Sequence, residues 1–323
     1  MENSTKYKVA VKCCTYNQAQ YITDALNGFI MQETDFPFVC CIIDDASTDG
    51  EQEVIRKYVV ENFDLSEPDV AYEKETEDAY ITYARHKSNK NCFFAVLYLK
   101  RNLYHDNEKK DKLVSEWMDD AEYIALCEGD DYWIDARKLK KQVSLLDSDK
   151  IANMCYSAFY TVNHLGNKIR RPFFEKCIKR SHSGYIFPDL MKQNFILTLT
   201  VLLRNGYDKN AYFSRYDGPS LDYYIFLLAS TSGRAVWLDD YTGCYRDNPT
   251  GEIRSSGSSV NDKIWKIYKF FAVGYLRGEV PKLNSFAIQF KVSVGIYLRA
   301  LKRFLLGQDK SFIWDALRAS LKI

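Results

Sequence analysis

An α/β fold is expected for this chain: a mostly parallel, twisted sheet flanked by helices, with a helical extension at the C-terminus. Three observations predict it. Short apolar runs alternate with helix-periodic stretches from the N-terminus, the runs stop abruptly at polar or acidic clusters, and from about Val260 the pattern turns to long basic amphipathic helices. Runs that are apolar on both faces suit central parallel strands, and their alternation with helices implies right-handed crossovers.

Residues 8–14 (KVAVKCC) form the first run, which ends in Thr15-Tyr16-Asn17-Gln18. Residues 21–32 carry Ile22, Leu26, Phe29 and Ile30 at helical spacing. A second buried strand, 38–43 (FVCCII), stops at Asp44-Asp45-Ala46-Ser47-Thr48-Asp49-Gly50. A helix follows with Val54, Ile55, Tyr58 and Val59 on one side. Residues 67–91 are polar and poorly periodic and receive no assignment. Further on, 92–99 reads as a strand, 109–118 as a helix, and 123–127 (YIALC) as a buried strand closing on Glu128-Gly129-Asp130-Asp131-Tyr132-Trp133. A helix is expected at 137–146, a strand at 197–203, a helix at 223–229 and a strand at 235–238. The tail should hold helices at 264–276, 286–306 and 312–321.

At 323 residues the chain is long for one domain and short for two large ones, so we divide it into a catalytic-sized domain at 1–250 and a helical extension at 251–323. Its 44 basic and 43 acidic residues imply neither a polyanionic nor a polycationic partner overall, so nucleic acid is not expected. That balance conceals an asymmetry. From Asn261 onward there are 12 basic and 4 acidic residues, against 32 and 39 before it. The nine cysteines include no C-x-x-C pair, so free thiols in a reducing cytoplasm are expected rather than a zinc ribbon or disulfide framework. No stretch is long and apolar enough for a spanning helix, and the N-terminus lacks the apolar core of a signal peptide.

In open α/β sheets, ligands bind beyond the carboxyl ends of the strands. Three such ends are polar or acidic here: Thr15-Tyr16-Asn17, Asp44-Asp45 and Glu128-x-Asp130-Asp131. Two like charges about 4 Å apart repel by roughly 1 kcal/mol in water and by several times more when partly buried. A hard divalent ion removes that cost and attracts phosphate oxygens. Helix capping by Ser47 and Asp49 is the plainer reading of the second cluster, and a solvated turn that of the third.

Thr15-Tyr16-Asn17 after the first strand and Asp44-Asp45-Ala46-Ser47-Thr48-Asp49-Gly50 after the second resemble the start of a family-2 glycosyltransferase of the GT-A, Rossmann-like fold. Glu128-Gly129-Asp130-Asp131-Tyr132-Trp133 is similar to that family's D-x-D region in an E-G-D-D-Y-W variant. The resemblance spans roughly residues 6–250. It implies a metal-dependent, inverting transferase using Mg²⁺ or Mn²⁺ and a nucleoside-diphosphate sugar, a UDP-sugar foremost. Carried over, Tyr16 stacks on the base, Asp45 with Asp44 accepts hydrogen bonds from base or ribose, and Glu128 faces the ribose. Thr15, Asn17, Gly129 and Asp131 complete the donor cleft, and Asp130 holds the metal, with Asp131 as a second ligand. Cys14 departs from the Pro or hydroxyl residue frequent in the family.

An inverting transfer also needs a base near the acceptor hydroxyl. Ser220-Leu221-Asp222-Tyr223-Tyr224 resembles the family's acidic residue heading the acceptor-side helix, which makes Asp222 the base, with Asp217 as competitor and simple N-capping as the plainer reading. Tyr241-Thr-Gly-Cys-Tyr245-Arg246 resembles the family's Y-R segment, but Asp247-Asn248 stands where a His often follows. Arg246 and Arg254 are candidates to neutralise the leaving diphosphate, a solvated surface Arg being the default for each.

The implied acceptor is a surface glycan, such as a capsule, lipopolysaccharide or exopolysaccharide unit, free or lipid-linked. The basic tail packs on the catalytic domain or a second protomer, or forms a membrane-surface helix set. In the second case Lys263, Lys266, Lys269, Arg299, Lys302 and Arg303 meet anionic lipid, and Trp265, Phe270, Phe271, Tyr275 and Phe304 enter the interface. Two rivals remain. Sugar-phosphate nucleotidyl transfer would want a Gly-rich basic loop where Thr15-Tyr16-Asn17-Gln18 stands, and a non-catalytic nucleotide-binding scaffold would have lost Asp130.

Overall fold

The computed structural model describes residues 7–104, 106–206, 216, 222–248, 258–279 and 286–321. Strand β1 (Val9–Thr15) and the wholly buried β2 (Phe38–Asp44) pair in parallel, joined through helix α1 (Ile22–Ile30). Helix α1 buries Ile22, Ala25, Leu26 and Phe29 against the sheet. Gly28 of this helix is needed for close approach, because a Cβ there would stand 2.8 Å from the backbone nitrogen of Trp133. Helix α2 (Glu51–Asn62) starts after Gly50, whose φ of 92° suits glycine.

Next come β3 (Phe63–Asp64), β4 (Ala71–Glu75), β5 (Ala79–His86) and β6 (Cys92–Leu99). Strands β4 and β5 occupy the stretch that the sequence left unassigned, as an antiparallel ribbon. Most of β4 is solvent-exposed, which explains its lack of an apolar pattern. Helix α3 (Asn107–Met118) is capped by the Asp106 carboxylate, which accepts from Lys109 N at 3.0 Å. Strands β7 (Tyr123–Leu126) and β8 (Tyr132–Trp133) and helix α4 (Lys138–Ser148) follow.

Strand β9 (Ala152–Asn163) has no counterpart among the sequence expectations. It is buried on both faces and mixes apolar with hydroxyl residues, so neither alternation nor a clean apolar run marks it. Then come α5 (Pro172–Arg180), the short α6 (Phe187–Leu190) and β10 (Leu202–Arg204). The strand expected at 197–203 is a 3₁₀ turn at Thr198–Thr200 followed by the start of β10. Side-chain donors hold its carbonyls there: Trp133 Nε1 reaches Leu199 O at 2.9 Å and Gln142 Nε2 reaches Thr200 O at 2.8 Å. Helix α7 (Asp222–Ser232) leads into β11 (Arg234–Asp247), far longer than the strand expected at 235–238. The tail forms α8 (Ser258–Arg277), α9 (Phe286–Leu305) and α10 (Phe312–Leu321).

The described strands make one eleven-stranded sheet in the order β3-β5-β6-β2-β1-β7-β10-β9-β11-β8, with β4 on β5. The four central strands, β6-β2-β1-β7, are parallel; β5 and β10 pair antiparallel at either side of them, so the sheet is mixed. Two compact units are present. One lies within Met1–Ser181, Ile196–Asn205 and Val236–Pro249, and the other within His182–Phe195, Gly206–Ala235 and Thr250–Ile323. All nine cysteines are free thiols, and all but Cys14 are buried.

Candidate active site

Sheet order places the site. The chain runs from β1 outward through β2 to β6, then returns to β7 on the other side of β1. Such a reversal opens a crevice at the carboxyl ends of the strands. Registers Thr15↔Asp44 and Lys12↔Leu126 bring the ends of β1, β2 and β7 side by side. The three polar clusters of the sequence therefore meet at one rim.

Glu51, which the sequence did not single out, ties this rim together. It is fully buried, and its carboxylate accepts from Gln18 N at 2.9 Å, from Ser47 Oγ at 2.8 Å and from Thr15 Oγ1. Burial pushes its pKa upward, and these hydrogen bonds pull against that. In the sequence it looks like an ordinary first-turn acid of a helix. Asn17 and the 47–48 backbone are cross-linked as well: Asn17 N donates to Ser47 Oγ at 2.9 Å, and Asn17 Oδ1 accepts from Thr48 N at 2.8 Å. Asn17 and Ala46 both take positive φ, 52° and 61°, which marks these loops as tightly constrained. Tyr16 between them is 47% exposed, its ring open to a planar ligand.

The two acids ending β2 differ in what they hold. Asp45 is committed inside the protein: Oδ1 accepts from Leu103 N at 2.5 Å and Oδ2 pairs with buried Lys110 at 3.3 Å. Asp44 accepts from Ser47 N at 3.0 Å and Gln52 Nε2 at 2.6 Å through Oδ1 alone. Its Oδ2 is buried and has no hydrogen-bond partner. The free acceptor at this rim is thus on Asp44, where the sequence reading put the weight on Asp45.

The turn after β7 is equally differentiated. Gly129 N donates to Cys14 O at 3.1 Å, and a Cβ at Gly129 would fall 2.2 Å from Thr15 Oγ1. Only glycine lets this turn lie so close to β1. Glu128 and Asp130 are half-buried, and Asp131 is buried. Burial raises the pKa of Asp130, with Asn248 and Arg246 pulling it back. Asp131 is raised well above the usual range by burial and then by Asp130, and its Oδ1 accepts from Arg246 N at 2.8 Å. Asp130 Oδ2 accepts from Asn248 Nδ2 at 3.1 Å. Asn248, in the Asp247-Asn248 stretch that stands where a His was looked for, therefore reaches Asp130.

Arg246 is not the solvated cation expected by default. It is 3% exposed, and its guanidinium donates to Asp130 O at 2.9 Å, His164 O at 3.2 Å and Asp24 Oδ2 at 2.6 Å, above the ring of Tyr21. With those donors engaged, it braces the Asp130-Asp131 turn instead of standing free for a diphosphate. Among the described residues no three His, Cys, Asp or Glu side chains converge as a metal cage. A single presented carboxylate suits Mg²⁺ or Mn²⁺, which protein sites commonly hold through one or two acids plus substrate phosphates.

In the second unit Asp222 opens α7, its carboxylate accepting from Tyr223 N at 2.8 Å, and burial raises its pKa. The helix is anchored beyond it, because the Tyr223 hydroxyl donates to Leu190 O at 2.9 Å. Asp217 and Arg254 lie outside the described residues.

Residues 11–93 match the family model described as Glycosyl transferase family 2. Over 264 residues the chain is 29% identical to the uncharacterized protein Rv1520 of Mycobacterium tuberculosis (strain ATCC 25618 / H37Rv), and equally to the uncharacterized protein Mb1547 of Mycobacterium bovis. These matches cover 80% of this chain and 64% of the relatives, so the chain spans under two thirds of their length. Among solved structures, S. aureus TarS 1-349 in complex with UDP-GlcNAc is similar, with a TM-score of 0.57 at 17% identity over 97% of this chain and 81% of that one. The same protein in complex with UDP gives 0.54 at 17%, over 98% and 90%. At that identity the likeness establishes a shared fold. The family match lies over the strands and loops that build two sides of the rim, and the part of the chain at residues 11–93 is similar to family-2 glycosyltransferases, within a fold shared with TarS.

Proposed function

We propose that this enzyme moves a sugar from a nucleoside-diphosphate sugar to a hydroxyl of a surface glycan, with inversion at the anomeric carbon. The acceptor is a capsule, lipopolysaccharide or exopolysaccharide unit, free or lipid-linked. One observation carries the reading: a buried Asp44 Oδ2 without a partner, at the rim where β1, β2 and β7 end together. An unsatisfied buried acceptor costs about 1–3 kcal/mol, and a donor group on a base or ribose offsets that cost. TarS in complex with UDP-GlcNAc makes UDP-sugars the first donors to test.

Tyr16 stacks on the base, Asp44 accepts from base or ribose with Asp45 bracing the loop, and Glu128 faces the ribose. Thr15, Asn17 and Gly129 shape the cleft. Asp130 would hold Mg²⁺ or Mn²⁺, with Asp131 and Arg246 fixing the turn that presents it. When bound, the ion neutralises charge on the leaving diphosphate. Asp222 takes the proton from the acceptor hydroxyl. The acceptor oxygen then bonds to the anomeric carbon as the bond from that carbon to the diphosphate oxygen breaks, and the nucleoside diphosphate leaves with its electron pair.

We take the enzyme to work in the cytoplasm at the inner face of the membrane, touching it peripherally through the C-terminal helices. No helix among the described residues is long and apolar enough to cross a membrane. Calorimetric titration with UDP and Mn²⁺ tests the core of the reading. Asp130→Ala is expected to lose the Mn²⁺-dependent part of the affinity; a variant that keeps it overturns the assignment.

A further inference from the structure

We infer that the outward faces of α9 and α10 form a docking surface for an anionic lipid bilayer. This rests on the peripheral contact proposed above, and it moves that contact off several side chains first expected to make it. Trp265 packs on Phe312 with ring centroids 5.1 Å apart, and its Nε1 donates to Asp309 at 2.9 Å. Phe271 and Tyr275 are buried against Phe187. These rings are interior to the helical unit.

Helix α10 packs on both α8 and α9, and α9 reaches α8 through side chains. Arg299 and Arg303 of α9 sit over the Tyr268 and Trp265 rings of α8, at 4.3 and 4.0 Å. Phe312 of α10 packs on the same two rings. Val292, Ile296 and Ala300 of α9 are buried, as are Ala316 and Ala319 of α10. Between the helices, the Tyr297 hydroxyl donates to Ala316 O at 3.3 Å. Each helix thus turns one face inward and leaves the other exposed.

Those opposite faces are apolar. On α9, Val294, Leu298, Leu301 and Leu305 recur at three- and four-residue spacing, and on α10 Trp314, Leu317 and Leu321 do the same. All seven are 37–73% exposed. A surface helix ordinarily carries one apolar stripe facing the core and a polar opposite face. Here a second stripe stands uncovered on each helix, and contiguous exposed apolar surface marks an interaction site.

Charge identifies the occupant. Residues 286–321 hold six basic and two acidic side chains. Both acids are used inside the unit, Asp309 by Trp265 and Asp315 by Lys269 at 2.9 Å. Arg299 and Arg303 also face inward. Lys291, Lys302, Lys310 and Arg318 remain exposed beside the stripes. A second copy of this face would meet like charges, whereas anionic headgroups complement the cations while acyl chains receive the apolar stripes.

The test is co-sedimentation of the full chain with phosphatidylcholine vesicles, with and without phosphatidylglycerol. Wild type is expected on the anionic vesicles at low salt and to leave them as salt rises. Leu298→Glu with Leu305→Glu should weaken partitioning by about tenfold or more, with an unchanged melting temperature. Val60→Glu, at an exposed position of α2, should partition as wild type does. Failure of wild type to bind either vesicle overturns the proposal. Equal binding by the double variant also overturns it, while leaving membrane contact through some other surface. A lipid-free dimer abolished by the double variant would assign the face to a second copy. UDP–Mn²⁺ affinity, measured on the same samples, reports separately on the donor site.

Discussion

Asp222, proposed above as the base, also holds the first turn of α7, and a single substitution separates the two roles. Its carboxylate caps α7, and burial raises its pKa, as a base working near neutral pH requires. Asp222→Asn keeps the size and most of the capping ability but removes the proton acceptor. Sugar transfer should fall by about 10²–10⁴-fold, with melting temperature and Mn²⁺-dependent UDP binding unchanged. Transfer within a few-fold of wild type would reduce Asp222 to a cap and turn attention to Asp217. In wild type the acid limb of the rate profile should lie above the ordinary carboxylate range, because the carboxyl must ionise before it can accept a proton.

At the scale of elements, the rim depends on contacts that join distant segments. Arg246, near the end of β11, reaches the turn after β7, the loop at His164 and Asp24 on α1 through different atoms of one guanidinium. A lysine keeps the charge but not the planar fork. Arg246→Lys is therefore expected to cost about 1–3 kcal/mol of stability and to weaken Mn²⁺-dependent UDP binding, because Asp130 shares that turn. Thermal denaturation and calorimetry measure the two effects; a variant unchanged in both would show that the turn holds without Arg246. Glu51 acts similarly for the loops after β1 and β2, where Thr15, Gln18 and Ser47 all donate to it.

For the molecule as a whole, one buried charge gives stability a pH signature. Lys138 is fully buried, donates to Gln142 Oε1 at 2.5 Å and lies 4.5 Å from the centre of the Trp133 ring. Burial lowers its pKa from 10.5 to about 8. Below about pH 8 the lysine is charged in both folded and unfolded chains, so the penalty of burying that charge is complete. Between about 8 and 10.5 the unfolded chain binds more protons, and stability rises with pH by about 3 kcal/mol in total. Lys138→Met removes that rise, which denaturant titrations across the window will detect; parallel curves for the two proteins would contradict it.

The alternation of apolar runs and helices, and the acidic ends of the runs, were legible in the sequence because central strands and strand-end clusters depend on local composition. So were the basic helices of the tail. Strand β9 and the β4–β5 ribbon were not, since one is covered on both faces and the other sits at an exposed edge, and neither carries a periodic signal. Only the tertiary structure decided which acid keeps a free oxygen. Asp44 and Asp45 are neighbours in the chain, yet Lys110 and Leu103 N engage Asp45, while Asp44 Oδ2 is left unpaired. The same holds for Arg246, whose partners at Asp24 and Asp130 lie 222 and 116 residues away. It holds too for the tail, where periodicity marks apolar positions but cannot say which of two stripes α8 will cover. Sequence pattern records what each segment prefers, whereas partners far apart in the chain meet only through packing.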